Sequence, residues 1–133
     1  MRTEVLDVDM SRDRIVDITD EVVEFVRWSE AGLLNVFAPH ATAGLAIMET
    51  ESGSESDLIE ALARLLPRDD RYRHHHGSPG HGADHLLPVL VSPSLTVPVE
   101  GGRMLLGSWQ RIVLISLNRD NPRRRVRLAL LEG

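Results

Sequence analysis

The sequence predicts an α+β fold, on three observations. Short apolar runs of strand length recur from one end of the chain to the other. Two segments instead carry their apolar residues at helical spacing. No internal repeat, linker or low-complexity stretch divides the 133 residues, so a single domain spanning 1–133 is expected, large enough to bury a real core.

Residues 2–8 alternate loosely and read as a strand, and Arg14–Ile18 reads as a second short one. Thr19 looks like a helix N-cap, with Asp20 and Glu21 suited to the positive end of the helix dipole. Val22, Phe25 and Val26 then place a helix over Asp20–Trp28, resting on a sheet. Leu33–Ala38 and Ala43–Glu49 are strands on either side of Pro39-His40. Ser54-Glu55-Ser56-Asp57 resembles a capping box ahead of a helix carrying Leu58, Ile59, Leu62, Leu65 and Leu66 on one side, stopped by Pro67. Residues 68–82 form a polar loop of roughly fifteen residues, a length that is usually functional or disordered. Ala83–Val91 follows as a short helix, limited or kinked by Pro88. Beyond Ser94 the pattern is a meander of four strands: Leu95–Val99, Arg103–Leu106, Gln110–Leu117 and Arg125–Leu131, with a Gly101-Gly102 turn after the first.

Composition narrows the function. Aromatics are only 4% and the formal net charge is −5, so there are few rings for base stacking and no basic surplus for phosphate backbones; no nucleic-acid partner is expected. All basic residues are arginine, which excludes Schiff-base chemistry and a lysine phosphate loop but leaves bidentate oxyanion recognition available. With no cysteine, no membrane-length apolar run and no apolar leader, a cytoplasmic protein without disulfides or membrane contact is expected.

Five of the six histidines lie between His74 and His85: His74, His75, His76, His81 and His85; the sixth is His40. Imidazole is neutral near pH 7 and ligates borderline metals, so a thiol-free, histidine-dense loop points to a metal or proton-transfer site. Three imidazoles with an open fourth position would suit a catalytic divalent ion, zinc first. The alternative is a solvated histidine-rich loop with incidental metal affinity. Glu49 and Glu51 read as a general base with a neighbour, or as solvated strand-end acids; Asp57 reads as a helix-capping acid. Trp109-Gln110 after Gly107-Ser108 opens a strand, and Arg123-Arg124-Arg125 either faces phosphate or is an exposed arginine run.

In order along the chain these motifs resemble the YjbQ-like family. His40-Ala-Thr-Ala-Gly44-Leu-Ala-Ile-Met-Glu49 is similar to HTSAGLxINE, Tyr72-Arg-His74 to YxH, and Ala83-Asp84-His85 to ADAH. Ser94-Leu-Thr-Val-Pro98-Val resembles SxTIPI, Gly107-Ser-Trp109-Gln110 resembles GTWQ, and Pro122–Arg125 resembles PRxR. The resemblance implies a β-sandwich with a few helices, assembled as a homotrimer, and a thiamine-phosphate synthase activity of unsettled physiological role. It selects His40, His74 and His85 as a metal or phosphate site and leaves His75, His76 and His81 as bystanders. It raises Glu49 and Asp57 to catalytic candidates, with Thr42, Gly107, Trp109 and Gln110 binding a phosphorylated small-molecule substrate. A metal-dependent hydrolase of a phosphoester or amide, and a non-enzymatic trimeric metal- or ligand-binding protein, fit the same residues. The chain departs from the family pattern at Met48, Leu87, Pro88 and Ser92, and at Ser116 and Asn118, where the pattern has acids.

Overall fold

The computed structural model describes Met1–Gly133 as two facing antiparallel sheets with three helices. The larger sheet has the order β1 (Arg2–Asp9), β8 (Arg123–Glu132), β3 (Gly32–Phe37), β5 (Ser94–Glu100), β6 (Arg103–Met104). The smaller has β2 (Ile15–Asp17), β7 (Arg111–Ile115), β4 (Gly44–Met48). Alternation along β8 buries Arg124, Val126, Leu128 and Leu130 and exposes Arg123, Arg125 and Arg127, with Ala129 half-buried, as expected of a strand with one face on a core. Leu34, Val36, Val97 and Val99 join that face, and Leu45, Ile112 and Leu114 meet it from the smaller sheet.

β7 is apolar without alternation because both its faces are covered. Ile112 and Leu114 point into the sandwich, whereas Val113 and Ile115 point outward beneath two helices, α2 (Ser54–Leu65) and α3 (His81–Val91). Leu62 and Leu66 from the first helical segment, and Ala83 and Leu87 from the second, complete that outer core. Leu87, a departure from the family pattern, is fully buried there. The remaining helix, α1 (Thr19–Val26), closes the sandwich with Val22, Phe25 and Val26.

Three expectations are corrected. The C-terminal half is not a four-stranded meander. Only β5 and β6 form a hairpin, through Gly101 and Gly102 at φ 60° and 74°; β7 then crosses to the other sheet and β8 returns between β1 and β3. An apolar run buried on both faces needs a central position covered from two sides, and a meander edge cannot supply it. Thr19 does not cap its helix: its hydroxyl accepts the Ile112 amide at 2.8 Å and so ties α1 to β7. The capping box ahead of α2 is also not made. Gly53 takes the N-cap in the left-handed region, and Glu55 reaches back to the Glu51 amide at 3.1 Å.

Candidate functional site

α3 begins two residues earlier than the sequence suggests. Gly80, at φ 85°, turns the chain into the helix, so that His81 and His85 stand one turn apart on one face. Their Nε2 atoms lie 3.1 Å from each other.

The loop before α3 is brought onto the same face by a close approach at Gly82. A β-carbon there would press into the His74 carbonyl and the Tyr72 side chain, so only glycine lets the loop and helix meet. Tyr72 is fastened at its far end by its hydroxyl, which donates to the Pro67 carbonyl at 2.7 Å. His74 consequently packs against both helical rings, with centroids 4.9 Å from His81 and 4.7 Å from His85. Ligand nitrogens of His74, His81 and His85 all lie within 4.8 Å of one another. Tetrahedral zinc with Zn–N near 2.0–2.1 Å requires nitrogens about 3.3 Å apart, so His81 and His85 already stand near that separation. The exposed His74 ring is the third imidazole of the set. His76 touches the edge of the group, 4.4 Å from His74 between centroids, and His75 bonds instead to the Tyr72 carbonyl.

Electrostatics favour the metal-binding form of His74 and His85. Desolvation, with the neighbouring imidazoles adding to it, holds His74 below the ordinary histidine range; the same causes act on His85 against the opposing pull of Asp84. Lowered values keep the rings neutral, as ligation demands. Asp84, between the two helical histidines in sequence, is buried and points to the other side. There it is paired with Arg68 and accepts from the Asn118 amide at 3.0 Å.

His40 stands elsewhere in the chain. The Arg125 amide donates to its Nε2 at 2.9 Å, and the Arg125 carbonyl lies 3.2 Å from the same nitrogen. An amide nitrogen only donates, so Nε2 carries the lone pair and the proton sits on Nδ1. Burial, reinforced by the Arg124 guanidinium, holds this ring too below its ordinary range. Within one chain the third imidazole beside His74 and His85 is therefore that of His81. The signal for it was the four-residue spacing to His85, legible only if the helix is extended back across Gly82.

The remaining motif residues form other groups. Glu49 and Trp109 line a shallow groove of about 280 Å³ with Thr50, Glu51, Ser108 and Arg111. Glu49 accepts from the Ser52 hydroxyl at 2.8 Å, and Trp109 is 75% exposed. Gln110 closes a turn by accepting the Gly107 amide at 2.7 Å, which leaves its NH2 end free. Asp57 is exposed in the first turn of α2. This groove adjoins Arg111 at the start of β7, whereas Asn118, against Asp84 beside the histidines, follows the other end. Thr42 is bonded to Arg124: the guanidinium Nη2 donates to the Thr42 hydroxyl at 2.8 Å and the Ser116 hydroxyl at 2.9 Å.

Comparison with known proteins gives one consistent answer. A family model described as UPF0047 protein YjbQ-like matches residues 4–133. The UPF0047 protein Rv2556c of Mycobacterium tuberculosis is 66% identical over 133 residues, with both chains covered completely. A UPF0047 protein of Archaeoglobus fulgidus is 40% identical, over 86% of this chain and 87% of the relative. Among solved structures, hypothetical protein APE1520 from Aeropyrum pernix K1 superposes with TM-score 0.90 at 31% identity, each chain covered in full. A YjbQ/UPF0047 family protein from Clostridium acetobutylicum superposes with TM-score 0.84 at 28% identity, over 96% of this chain and 99% of the other.

Proposed function

The chain belongs to the YjbQ-like UPF0047 family, and within it we propose a metal-dependent enzyme acting on a phosphorylated small molecule. One observation carries the reading: His81 and His85 present nitrogens 3.1 Å apart, with His74 beside them and no acid in the set. Three neutral imidazoles are a zinc-type donor set that keeps the ion cationic and a fourth position open. A bound ion of this kind supplies Lewis acidity, either to a phosphate leaving group or to a water molecule. The chain's own contribution is to hold His74 and His85 below the ordinary histidine range and to orient His81 and His85 on one helix turn.

The reaction proposed first is the one implied by the family resemblance: coupling of a pyrimidine pyrophosphate to a thiazole phosphate with release of pyrophosphate. Glu49 is the carboxylate placed to orient the substrates, and Trp109 offers an exposed ring for a planar heterocycle beside it. The groove holding these two lies toward the opposite end of β7 from the histidines, and we propose that a second copy of the chain brings the two together. We therefore include a homotrimer in the reading. The outer face of the larger sheet supports it: Leu33 and Leu131 are cross-strand partners, both more than half exposed, and no helix covers them. Hydrolysis of a phosphoester is the second reading, favoured by the open fourth position of the same donor set.

Tag-free protein is assayed for metal by elemental analysis and for coupling by product analysis with both substrates present and with each alone. Zinc near one per chain and a product formed only with both substrates support the first reading. Phosphate released from one substrate alone supports the second. Zinc-free protein that gains no zinc on titration, or activity unchanged in His85→Ala, overturns the metal-dependent reading.

No helix of the chain is long and apolar enough to cross a membrane. A cytoplasmic location is proposed on the absence of cysteine.

A further inference from the structure

We infer that Arg124, with the hydroxyls of Thr42 and Ser116, forms a binding site for a small oxyanion, separate from the cluster of His74, His81 and His85 and independent of any metal. Arg124 enters β8 on its buried face and is only 2% exposed. A guanidinium cannot shed its charge at that depth, so it must be compensated where it lies. The chain compensates it incompletely. Nη2 uses its hydrogens on Thr42 and Ser116, both neutral, while Nε is buried with no acceptor. No carboxylate of the chain lies within ion-pair distance of Arg124.

Asp84 is the carboxylate whose field reaches this guanidinium, but it is taken by Arg68 and by the Asn118 amide. Two guanidiniums thus share one carboxylate, and the local set is one negative charge short.

The groups left over say what would fill it. Both hydroxyls accept from Arg124, so each retains its own hydrogen to donate, and the Nε–H is also free. Donors to spare beside an uncompensated guanidinium match an oxyanion, and the guanidinium makes those bonds charge-assisted. Of the two hydroxyls, that of Thr42 belongs to a half-buried residue and that of Ser116 to a buried one. The ligand class is a phosphate or carboxylate group borne by a small molecule.

The test uses the full chain freed of metal by chelation. Arginine Nε–Hε resonances are followed by NMR during titration with inorganic phosphate, with acetate, and with chloride at matched ionic strength. Saturable displacement of the Arg124 signal by phosphate or acetate, but not by chloride, is expected. The tighter of the two assigns the anion class. Ser116→Glu places a carboxylate on the neighbouring strand as an internal substitute; it should raise Tm and weaken anion binding by ~10-fold or more. Thr42→Val, which removes one donor hydroxyl and with it one acceptor of the Arg124 guanidinium, should weaken binding by several-fold and lower Tm, whereas Ser116→Glu raises it. Absence of a saturable shift in the unsubstituted protein, or equal anion affinity in all three chains, overturns the proposal. A response to chloride as strong as that to phosphate does so as well. None of these readouts involves bound zinc, so failure here and failure of the metal reading are separable.

Discussion

His81 and His85 face one another across one turn of α3, with their Nε2 atoms 3.1 Å apart. That relationship makes His81 the partner of His85 in the chain, although the family resemblance passes it over. His81→Ala is expected to lower zinc affinity by ~100-fold or more, comparably to His85→Ala, because either change removes a ligand rather than an outer neighbour. His75→Ala, whose ring bonds to the Tyr72 carbonyl, should change it less than a few-fold. Competition titration against a chromogenic chelator measures all three. Equal affinity in His81→Ala and the parent chain would remove His81 from the site.

Gly82 is expected to control the same site without contributing a ligand. A β-carbon there meets the His74 carbonyl and the Tyr72 side chain, so Gly82→Ala must push the loop away from α3 and carry His74 with it. The helix itself gains, since alanine is favoured over glycine in a helix by roughly 1 kcal/mol. Far-UV circular dichroism should therefore remain native-like while zinc affinity falls by ~10-fold or more. Retained affinity would show that the loop is not what positions His74.

How far the sequence is readable differs between fold and site, for identifiable reasons. β1, β3 and β4 follow local patterns, and each was placed within a residue or two. β7 was recognised as a strand but assigned to the wrong sheet, because Ile112–Ile115 is apolar throughout and alternation is the only local cue to which face is buried. The first turn of α3 was missed because Gly80 and Gly82 read as loop residues; one turns the chain and the other permits a close approach, and neither purpose is visible without the neighbouring segment. Arg124 was visible only as part of an arginine run. Its burial depends on strand parity, which distinguishes it from exposed Arg123 and Arg125 on either side.

The open face of the larger sheet makes a prediction about assembly. Leu33 and Leu131 lie side by side, 52% and 59% exposed, on the face opposite the core. A charge placed there costs the isolated chain little, since surface substitutions usually fall within about 0.5 kcal/mol. Buried between copies, the same charge is unpaired and costs several kcal/mol. Leu33→Glu should therefore convert a trimer of the 14.8 kDa chain into monomers with little change in circular dichroism. Light scattering coupled to size exclusion reads the mass. A trimer that survives both Leu33→Glu and Leu131→Glu would place the contact on another face.

Acidification should destabilise the metal-free protein. His40, His74 and His85 are each held below the ordinary value of 6.5, in every case chiefly by desolvation, and nearby cationic or imidazole groups add to it. Above pH about 6.5 the three rings are neutral in both folded and unfolded chains, and their contribution is fully present. As pH falls below that value the unfolded chain takes up protons first, so stability declines until the pH passes the lowered folded-state values, where it levels off. Urea midpoints measured with chelator present should thus be flat from pH 8 to 7 and drop below pH 6.5, apart from the carboxylate transitions at lower pH. His40→Gln should reduce that drop, because the amide oxygen can accept the Arg125 N–H that Nε2 accepts now, without adding a group that titrates. An unaltered pH dependence in this variant would mean that His40 exchanges no proton on unfolding.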